Sequence, residues 1–290
     1  MDNIRGSGFM VLAMAAFTLE DMFLKSVMRS LPIGETLILF GIGGMLVFCV
    51  MTMRRGERVF HPAILTRTIC LRAICELTGR LCFAIAIALT PLSSASAILQ
   101  ATPLVVAAGG MVFFGETVGW RRWLAIAIGF GGVLLIIRPG LSGFEPLSIF
   151  ALISTLGFAG RDLATRAAPP VLSNMQLGVY GFFILIPAGI IALLYTGGAI
   201  WPTPILWMQL AAAITIGVAA YNFLTVSMRV GEVSVITPFR YTRLVFAMII
   251  GALFFAERPD AMTMLGSAII VASGLYTILR ERKLAKLVEE

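Results

Sequence analysis

The chain has 290 residues, of which 59% are hydrophobic and 13% charged, with a net charge of +7 and a mean hydropathy of +0.97. A soluble domain is nearer 45–50% apolar and about 25% charged, so a water-soluble globule is excluded: it would expose more apolar surface than water tolerates. The positive charges lie in short segments between apolar runs, which is the pattern of membrane topology and not of a nucleic-acid surface.

A span needs roughly 20 apolar residues. In chain order the apolar runs read as spans near 5–28, 34–53, 66–89, 92–114, 120–138, 146–166, 174–196, 205–228, 232–255 and 260–279. The start, Met1 to Leu19, has Arg5 before an apolar stretch in the manner of a signal peptide. Glu20, Asp21 and Lys25 come directly after it with no small-residue cleavage site, so it is expected to be retained. Turn chemistry separates the runs: Leu31-Pro32-Ile33-Gly34, Arg54-Arg55-Gly56-Glu57-Arg58, Pro139-Gly140, Pro169-Pro170 and Trp201-Pro202-Thr203-Pro204. The joint at Thr90-Pro91 is so short that the third and fourth spans are expected to form a tight antiparallel pair. Cys49, Cys70, Cys75 and Cys82 lie in or beside apolar runs without a CxxC spacing and read as small buried hydrophobes. With the N-terminus in the cytoplasm, fourteen Lys and Arg residues fall inside, among them Arg54, Arg55, Arg58, Arg121, Arg122 and Arg229. Arg29, Arg138 and Arg258 fall outside. Both termini are therefore expected to be cytoplasmic, in a multi-pass protein of the cell inner membrane.

The second half echoes the first at a fixed shift of 141 residues. Phe113-Phe114-Gly115-Glu116 returns as Phe254-Phe255-Ala256-Glu257, and Glu20-Asp21-x-x-x-Lys25 as Arg161-Asp162-x-x-x-Arg166. Five spans is an odd number, so the second copy enters the membrane upside down. Inverted repeats of this kind are a common architecture of secondary carriers, with the solute site near the midplane between the halves. The expected fold is an all-α integral membrane protein: ten transmembrane helices as two inverted five-helix repeats, residues 1–140 and 141–290, around a central cavity.

The stretches Leu89-Thr90-Pro91-Leu92-Ser93-Ser94-Ala95, Pro103 through Phe114-Gly115-Glu116, and Gly129-Phe130-Gly131-Gly132-Val133-Leu134, with their partners from Glu232-Val233-Ser234 to Glu257-Arg258-Pro259, resemble the drug/metabolite transporter superfamily in its EamA-type ten-helix branch. Trp120-Arg121-Arg122-Trp123 and Pro238-Phe239-Arg240-Tyr241 are similar to the part of that superfamily holding S-adenosylmethionine uptake carriers. The resemblance implies a carrier with two five-helix halves around a central cavity.

Charge in hydrocarbon costs about 2.5–3.5 kcal/mol or more per residue, so it must face protein or a water-filled path. Glu76, Arg80, Gln100, Tyr221, Asn222, Arg240, Tyr241 and Arg243 are the candidate substrate-binding residues. Glu20, Asp21, Lys25, Arg161, Asp162 and Arg166 are the candidate gating or coupling residues. Asp21 and Lys25, Glu76 and Arg80, and Asp162 and Arg166 are each four apart and share a helix face, which permits local ion pairs. By the inversion, the Asp21 cluster is expected toward the outer mouth and the Asp162 cluster toward the inner one. Arg240 and Arg243 have no acid at helical spacing in their own span and need a partner from elsewhere, with Glu76 available for one of them, or a solute carboxylate or phosphate. Arg80 aligns with Tyr221 and Gln100 with Tyr241 at the repeat shift. Glu116 and Glu257 read as helix-end anchors, and Trp120, Trp123, Trp201 and Trp207 as interface anchors.

His61 is the single histidine, there is no HExxH, and no Walker-type loop is present, so neither an intramembrane enzyme nor an ATP-driven pump is expected. No metal or cofactor is expected. The surplus arginine favours a secondary transporter of a small polar organic metabolite that is anionic or zwitterionic, such as an amino acid, with protons as a candidate coupling ion. Two alternatives stand beside it: an exporter of cationic or lipophilic compounds, which the carboxylates would suit, and a channel or structural membrane protein.

Overall fold

A computed structural model describes residues 2–114, 120–138, 145–166, 171–230 and 237–289. Glu116, Pro139-Gly140, Pro169-Pro170 and Glu232-Val233-Ser234 lie outside the described residues. The described residues form α1 (Asp2–Val27), α2 (Ile33–Arg54), α3 (Arg67–Leu89), α4 (Leu92–Leu99), α5 (Thr102–Phe114), α6 (Trp120–Ile137), α7 (Ile149–Arg166), α8 (Asn174–Phe183), α9 (Leu185–Thr196), α10 (Pro204–Val230), α11 (Thr242–Phe255) and α12 (Ala261–Glu289). Short 3-10 turns cover Pro62–Leu65, Pro146–Ser148 and Thr237–Tyr241, and no strand occurs among the described residues.

Proline accounts for most of the boundaries. The residue before a proline is pushed out of the helical region, and Thr90 is extended at φ −126°, ψ 167°, which ends α3. Proline also lacks the N–H that a helix interior needs. Pro103 thus divides the fourth predicted span into α4 and α5, where the Thr102 hydroxyl donates instead to the Leu99 carbonyl at 2.6 Å. Pro187 likewise stands just after the division of the seventh span into α8 and α9. Pro238 lies in the 3-10 turn that precedes α11.

Among the described residues, six helical segments are long and apolar enough to cross a membrane: Ile4–Val27, Ile33–Arg54, Leu92–Gly110, Pro146–Ala164, Asn174–Thr196 and Pro204–Leu224. Trp123–Ile137 and Ala261–Tyr276 are shorter apolar helices. The third predicted span is long enough in α3, but Arg67, Arg72, Glu76 and Arg80 lower its hydropathy. The distribution of polarity is inside-out relative to a soluble protein. Leu194 is 82% and Phe113 75% exposed, whereas Glu20 and Glu76 are 2% and 3% exposed. Water would reverse that order, and hydrocarbon imposes it. The chain is a multi-pass membrane protein. The same exchange of solvents corrects the reading of the cysteines: Cys70 is exposed, and Cys49, Cys75 and Cys82 are half-buried.

Helices pair mainly across the two halves of the sequence. α1 packs along α10 and against α11, α3 along α7, α2 along α8 and α9, and α6 along α12. The third and fourth predicted spans do not form the tight antiparallel pair expected from the short Thr90-Pro91 joint. α3 lies chiefly on α7, and α4 on α11 and α7. Small residues set the closest approaches, as is usual between helices in lipid. A Cβ on Gly132 of α6 would come within 2.8 Å of the Gly266 carbonyl of α12.

At the far end of that pair, Arg138 bonds Asp260, which also accepts from the Thr263 amide at 2.9 Å and so caps α12. The Arg138 side chain and the Thr263 N–H hold the Asp260 carboxyl down to about 2. Its contribution is therefore complete above the ordinary carboxylate pKa and is lost as the pH falls toward 2. Asp260→Ala is expected to cost about 1 kcal/mol of stability at pH 7, the usual value of a cap, and the deficit should shrink in melts at low pH; a deficit independent of pH would contradict the assignment.

The α3–α7 seam is equally close. A Cβ on Gly157 would lie 2.6 Å from the Gly79 amide nitrogen and 2.9 Å from the Cys75 carbonyl oxygen. Gly157→Leu must force the two backbones apart, with an expected loss of roughly 1–3 kcal/mol or more. A lowered melting temperature and broadened size-exclusion peak in detergent are the readouts, and a wild-type melt would refute the seam.

Candidate functional site

The seam between α3 and α7 carries the charged side chains that the membrane forces inward. On α3, Arg72, Glu76 and Arg80 follow at intervals of four and share one face. Glu76 Oε2 is 3.1 Å from Arg72 Nη2, and its Oε1 is 3.5 Å from Arg161 Nη1 of α7 and 3.9 Å from Arg80 Nε. Arg80 Nη1 continues to Glu20 Oε1 of α1 at 3.7 Å. Arg161 is bonded to Asp162 Oδ1 at 2.8 and 3.0 Å through its Nη2 and Nε. Next to Glu20, Asp21 Oδ2 accepts from Arg243 Nη2 of α11 at 2.6 Å. Aromatic rings wall the cations. Arg161 lies 4.9 Å from the Phe158 ring centroid, and Arg243 lies 5.4 Å from those of both Phe17 and Phe83.

This arrangement differs from the sequence reading in three respects. Asp21 does not pair with Lys25 but with Arg243, and Glu76 satisfies neither Arg240 nor Arg243. Asp162 bonds its neighbour Arg161, and its expected pairing with Arg166 falls on a side chain outside what is described. The two charge clusters expected at opposite mouths are joined into one series, Asp162–Arg161–Glu76–Arg80–Glu20, with Asp21–Arg243 beside it. The i,i+4 contact of Glu76 with Arg80 does form.

One end of the bundle is clasped by a residue outside the sequence-based candidate set. Glu257, just past α11, accepts from the Leu92 and Ser93 amides at 2.7 and 3.1 Å and from the Ser93 hydroxyl at 2.9 Å. It thus caps the start of α4, a helix N-terminus that favours negative charge. Lys25 Nζ lies 3.1 Å from Glu257 and donates to the Thr90 carbonyl at 2.6 Å. Burial opposes the charge on Glu257, but these amides and Lys25 hold its carboxyl below the ordinary range. Phe255 covers the clasp, with Lys25 and Arg29 at 5.1 and 4.8 Å from its ring centroid. Glu257 is the helix-end anchor the sequence pointed to, though the end it anchors belongs to another helix.

At the opposite end the loop after α2 is tied to α8. Ser173 caps α8 in a capping box with Gln176 and also bonds Glu57. Gln176 donates to the Arg58 carbonyl at 2.7 Å, and Tyr180 to the Val59 carbonyl at 2.9 Å. Asn222 lies here and not beside the charge series. It lines a cavity of about 210 Å³ with Arg55, Glu57, Ser173, Asn174 and Met175. His61 accepts from the Ala63 amide through Nδ1 and caps a 3-10 turn.

Between the ends, one interrupted helix meets the 3-10 turn that leads into α11. α4 gives way to α5 at Gln100-Ala101, and the 3-10 turn gives way to α11 at Tyr241. Gln100 and Tyr241 are 141 residues apart, the repeat shift. The break and the turn touch, because Gln100 Nε2 donates to the Arg240 carbonyl at 3.1 Å. Tyr241 is 4% exposed, with its ring against Gly274. Tyr221 packs edge-on against Phe48 at 5.2 Å. Among the described residues, Glu20 Oε2, Arg243 Nε and Tyr241 Oη are buried without a hydrogen-bond partner. No ion pair reaches Arg240 among the described residues.

Glu76 is the node of the series. Removing one member of a buried ion pair strands the others and costs about 3–5 kcal/mol. Glu76→Ala is therefore expected to destabilise the protein in detergent more than Asp260→Ala does, by several-fold in free energy. Equal melting curves for the two variants would show that Glu76 is not the node.

The EamA-like transporter family model matches the chain twice, over residues 4–138 and 146–279. An S-adenosylmethionine uptake transporter of Rickettsia bellii is 22% identical over 96% of this chain and 94% of its own length. A pseudopaline exporter of Pseudomonas aeruginosa is 24% identical over 92% and 94%. A riboflavin transporter of Rhizobium johnstonii is 27% identical over 68% of this chain, and the match spans 65% of that relative's length. A crystal structure of a protein of undescribed function superposes with a TM-score of 0.61 at 17% identity, covering 96% of this chain and 98% of the other, and so shares the fold. The chain belongs to the EamA-like transporter family and is a membrane transporter, not an enzyme.

Proposed function

We propose that this transporter is a secondary carrier of ten membrane-crossing segments, built from two inverted five-helix repeats at residues 1–140 and 141–290, and that it moves a small anionic or zwitterionic organic metabolite by alternating access. The pairing of helices supports the inversion. α1 on α10 and α7 on α3 exchange under the repeat, as do α1 on α11 and α7 on α4 and α5, while α2 on α8–α9 and α6 on α12 map onto themselves. The basic loops favour the cell inner membrane with both termini cytoplasmic, which puts the Lys25–Glu257 clasp at the outer mouth.

The observation that carries the substrate class is Arg240. Four acids, Glu20, Asp21, Glu76 and Asp162, balance four arginines, Arg72, Arg80, Arg161 and Arg243, in the buried series. Among the described residues Arg240 stands outside that balance, where α4 gives way to α5 beside the turn before α11, and is available for a solute carboxylate or phosphate. Interrupted helices at equivalent places in the two halves are where secondary carriers of this architecture bind their solutes. Gln100, Tyr241 and Arg243 stand next to Arg240 and complete the proposed contact set. Opening of the outer mouth requires the Lys25–Glu257 and Asp21–Arg243 pairs to part.

A second reading has its own observation. Glu20 Oε2 is buried without a hydrogen-bond partner, so a cationic solute or a transported proton has an acceptor at α1. Uptake into proteoliposomes separates the readings. The panel comprises neutral, acidic and basic amino acids, S-adenosylmethionine, riboflavin, a dicarboxylate and a quaternary amine, each with and without a proton gradient. Saturable uptake of an anionic or zwitterionic member, reduced about tenfold or more by Arg240→Ala and partly kept by Arg240→Lys, is the expected result. Normal transport by folded Arg240→Ala and Arg243→Ala proteins would sink it. Uptake of the quaternary amine that Glu20→Gln abolishes would establish the second reading.

A further inference from the structure

A groove of about 380 Å³ lies on the outer face of the α6–α12 pair, lined by Trp120, Leu124, Ala125, Ile128, Ser273 and Tyr276. It has no part in the charge series or the helix breaks. Its floor is closed by packing: Ala125 and Ser273 are 4% and 6% exposed, and the Ser273 hydroxyl donates to the Ala125 carbonyl at 2.7 Å. Its walls are open and apolar, with Leu124 and Ile128 about half exposed. Its rim at one end is aromatic and amphipathic, with Trp120 68% and Tyr276 46% exposed. Trp and Tyr settle where hydrocarbon meets headgroups, so that rim marks the membrane interface.

Helical register carries basic residues on from that rim along the line of the groove. Arg121 is four residues before Ala125 and seven before Ile128 on α6, so its position shares their face. Arg280 is four and Lys283 seven residues after Tyr276 on α12, on the face of Tyr276. At a rise of about 1.5 Å per residue these two positions lie roughly 6 and 10 Å beyond the tyrosine, away from the bilayer. An apolar slot that ends in an aromatic rim, with basic positions beyond it in helical register, matches a lipid with an anionic headgroup.

We propose that the α6–α12 groove is a binding site for an anionic phospholipid, with one acyl chain in the slot and the phosphate beyond Trp120 and Tyr276. The site is independent of the transported solute. The full-length protein, purified in mild detergent and mixed with equal amounts of phosphatidylglycerol and phosphatidylcholine, is examined by native mass spectrometry. Retention of phosphatidylglycerol over phosphatidylcholine is the expected result. Arg121→Glu with Arg280→Glu should lower that retention by roughly tenfold or more. Ile128→Trp, a change at an exposed position that fills the slot, should lower it with the charges intact. Equal retention of both lipids, or phosphatidylglycerol retention unaffected by the variants, would overturn the proposal. So would a dimer that Ile128→Trp dissociates, because a second copy would then occupy the groove. A melting temperature in Ile128→Trp equal to that of the parent protein establishes that loss of lipid is not loss of fold.

Discussion

Glu76 sits within reach of three guanidinium groups from two helices, in a molecule whose outer surface is hydrocarbon. A buried charge is poorly solvated there, and the charges around Glu76 are answered by others within about 4 Å. That pairing sets the spacing of α1, α3 and α7. The Gly79–Gly157 contact is a consequence: bulkier residues would hold α3 and α7 apart and stretch the 3.5 Å approach of Arg161 to Glu76. The same constraint reaches α11 through Asp21 and Arg243. Four helices that are distant in sequence are thus held in register by ion pairs that lie inside the molecule.

The helix pairing limits how such a molecule can change shape. The main contacts join one half of the sequence to the other, so the halves are intertwined and cannot part as two lobes about a linker. In the carrier reading, movement consists of helices sliding and bending within seams, with ion pairs exchanged along the way. The places to bend are present. Pro103 and Pro187 each remove a helical N–H, and a helix missing that bond yields there before it yields elsewhere. The first of these interruptions meets the turn before α11 at the Gln100–Arg240 hydrogen bond.

Sequence patterning reads the helices well because spans and turns are local: a run of apolar residues, a proline, a basic loop. The interruptions at Gln100 and Ile184 were equally local, and Pro103 and Pro187 were their signal. Partners are another matter. The pairing rule that sequence offers is the i,i+4 face, and it linked Asp21 to Lys25. In the structure Asp21 turns to Arg243 and Lys25 to Glu257, because the charges that best answer them arrive from α11 and its end. Nothing in the local pattern tells a carboxylate which distant helix will face it. Asn222 shows the same limit, since its span was legible but its depth in the membrane was not. The cysteines misled for another reason: burial follows hydrophobicity in water, and at a lipid surface it does not.

The buried series is electrically neutral, and a neutral series can hold helices together without choosing the sign of a solute. Choice requires a group left out of the balance. Arg240 meets that condition, and its backbone and side chain are placed in opposite ways. Its carbonyl is taken by Gln100, which fixes the turn before α11 against the break in the other half, while its guanidinium has no acid among the described residues. In the proposed carrier, a fixed backbone with a cation outside the described ion pairs would be a preorganised anion contact, because little ordering remains to be done when the solute arrives. Had Arg240 been paired as Arg243 is, a solute carboxylate would first have to displace an internal one, and binding would have been opposed by the strength of the existing pair. In the proposed carrier, the asymmetry between these two arginines, three residues apart on neighbouring turns, is what would tie the fold to an anionic solute.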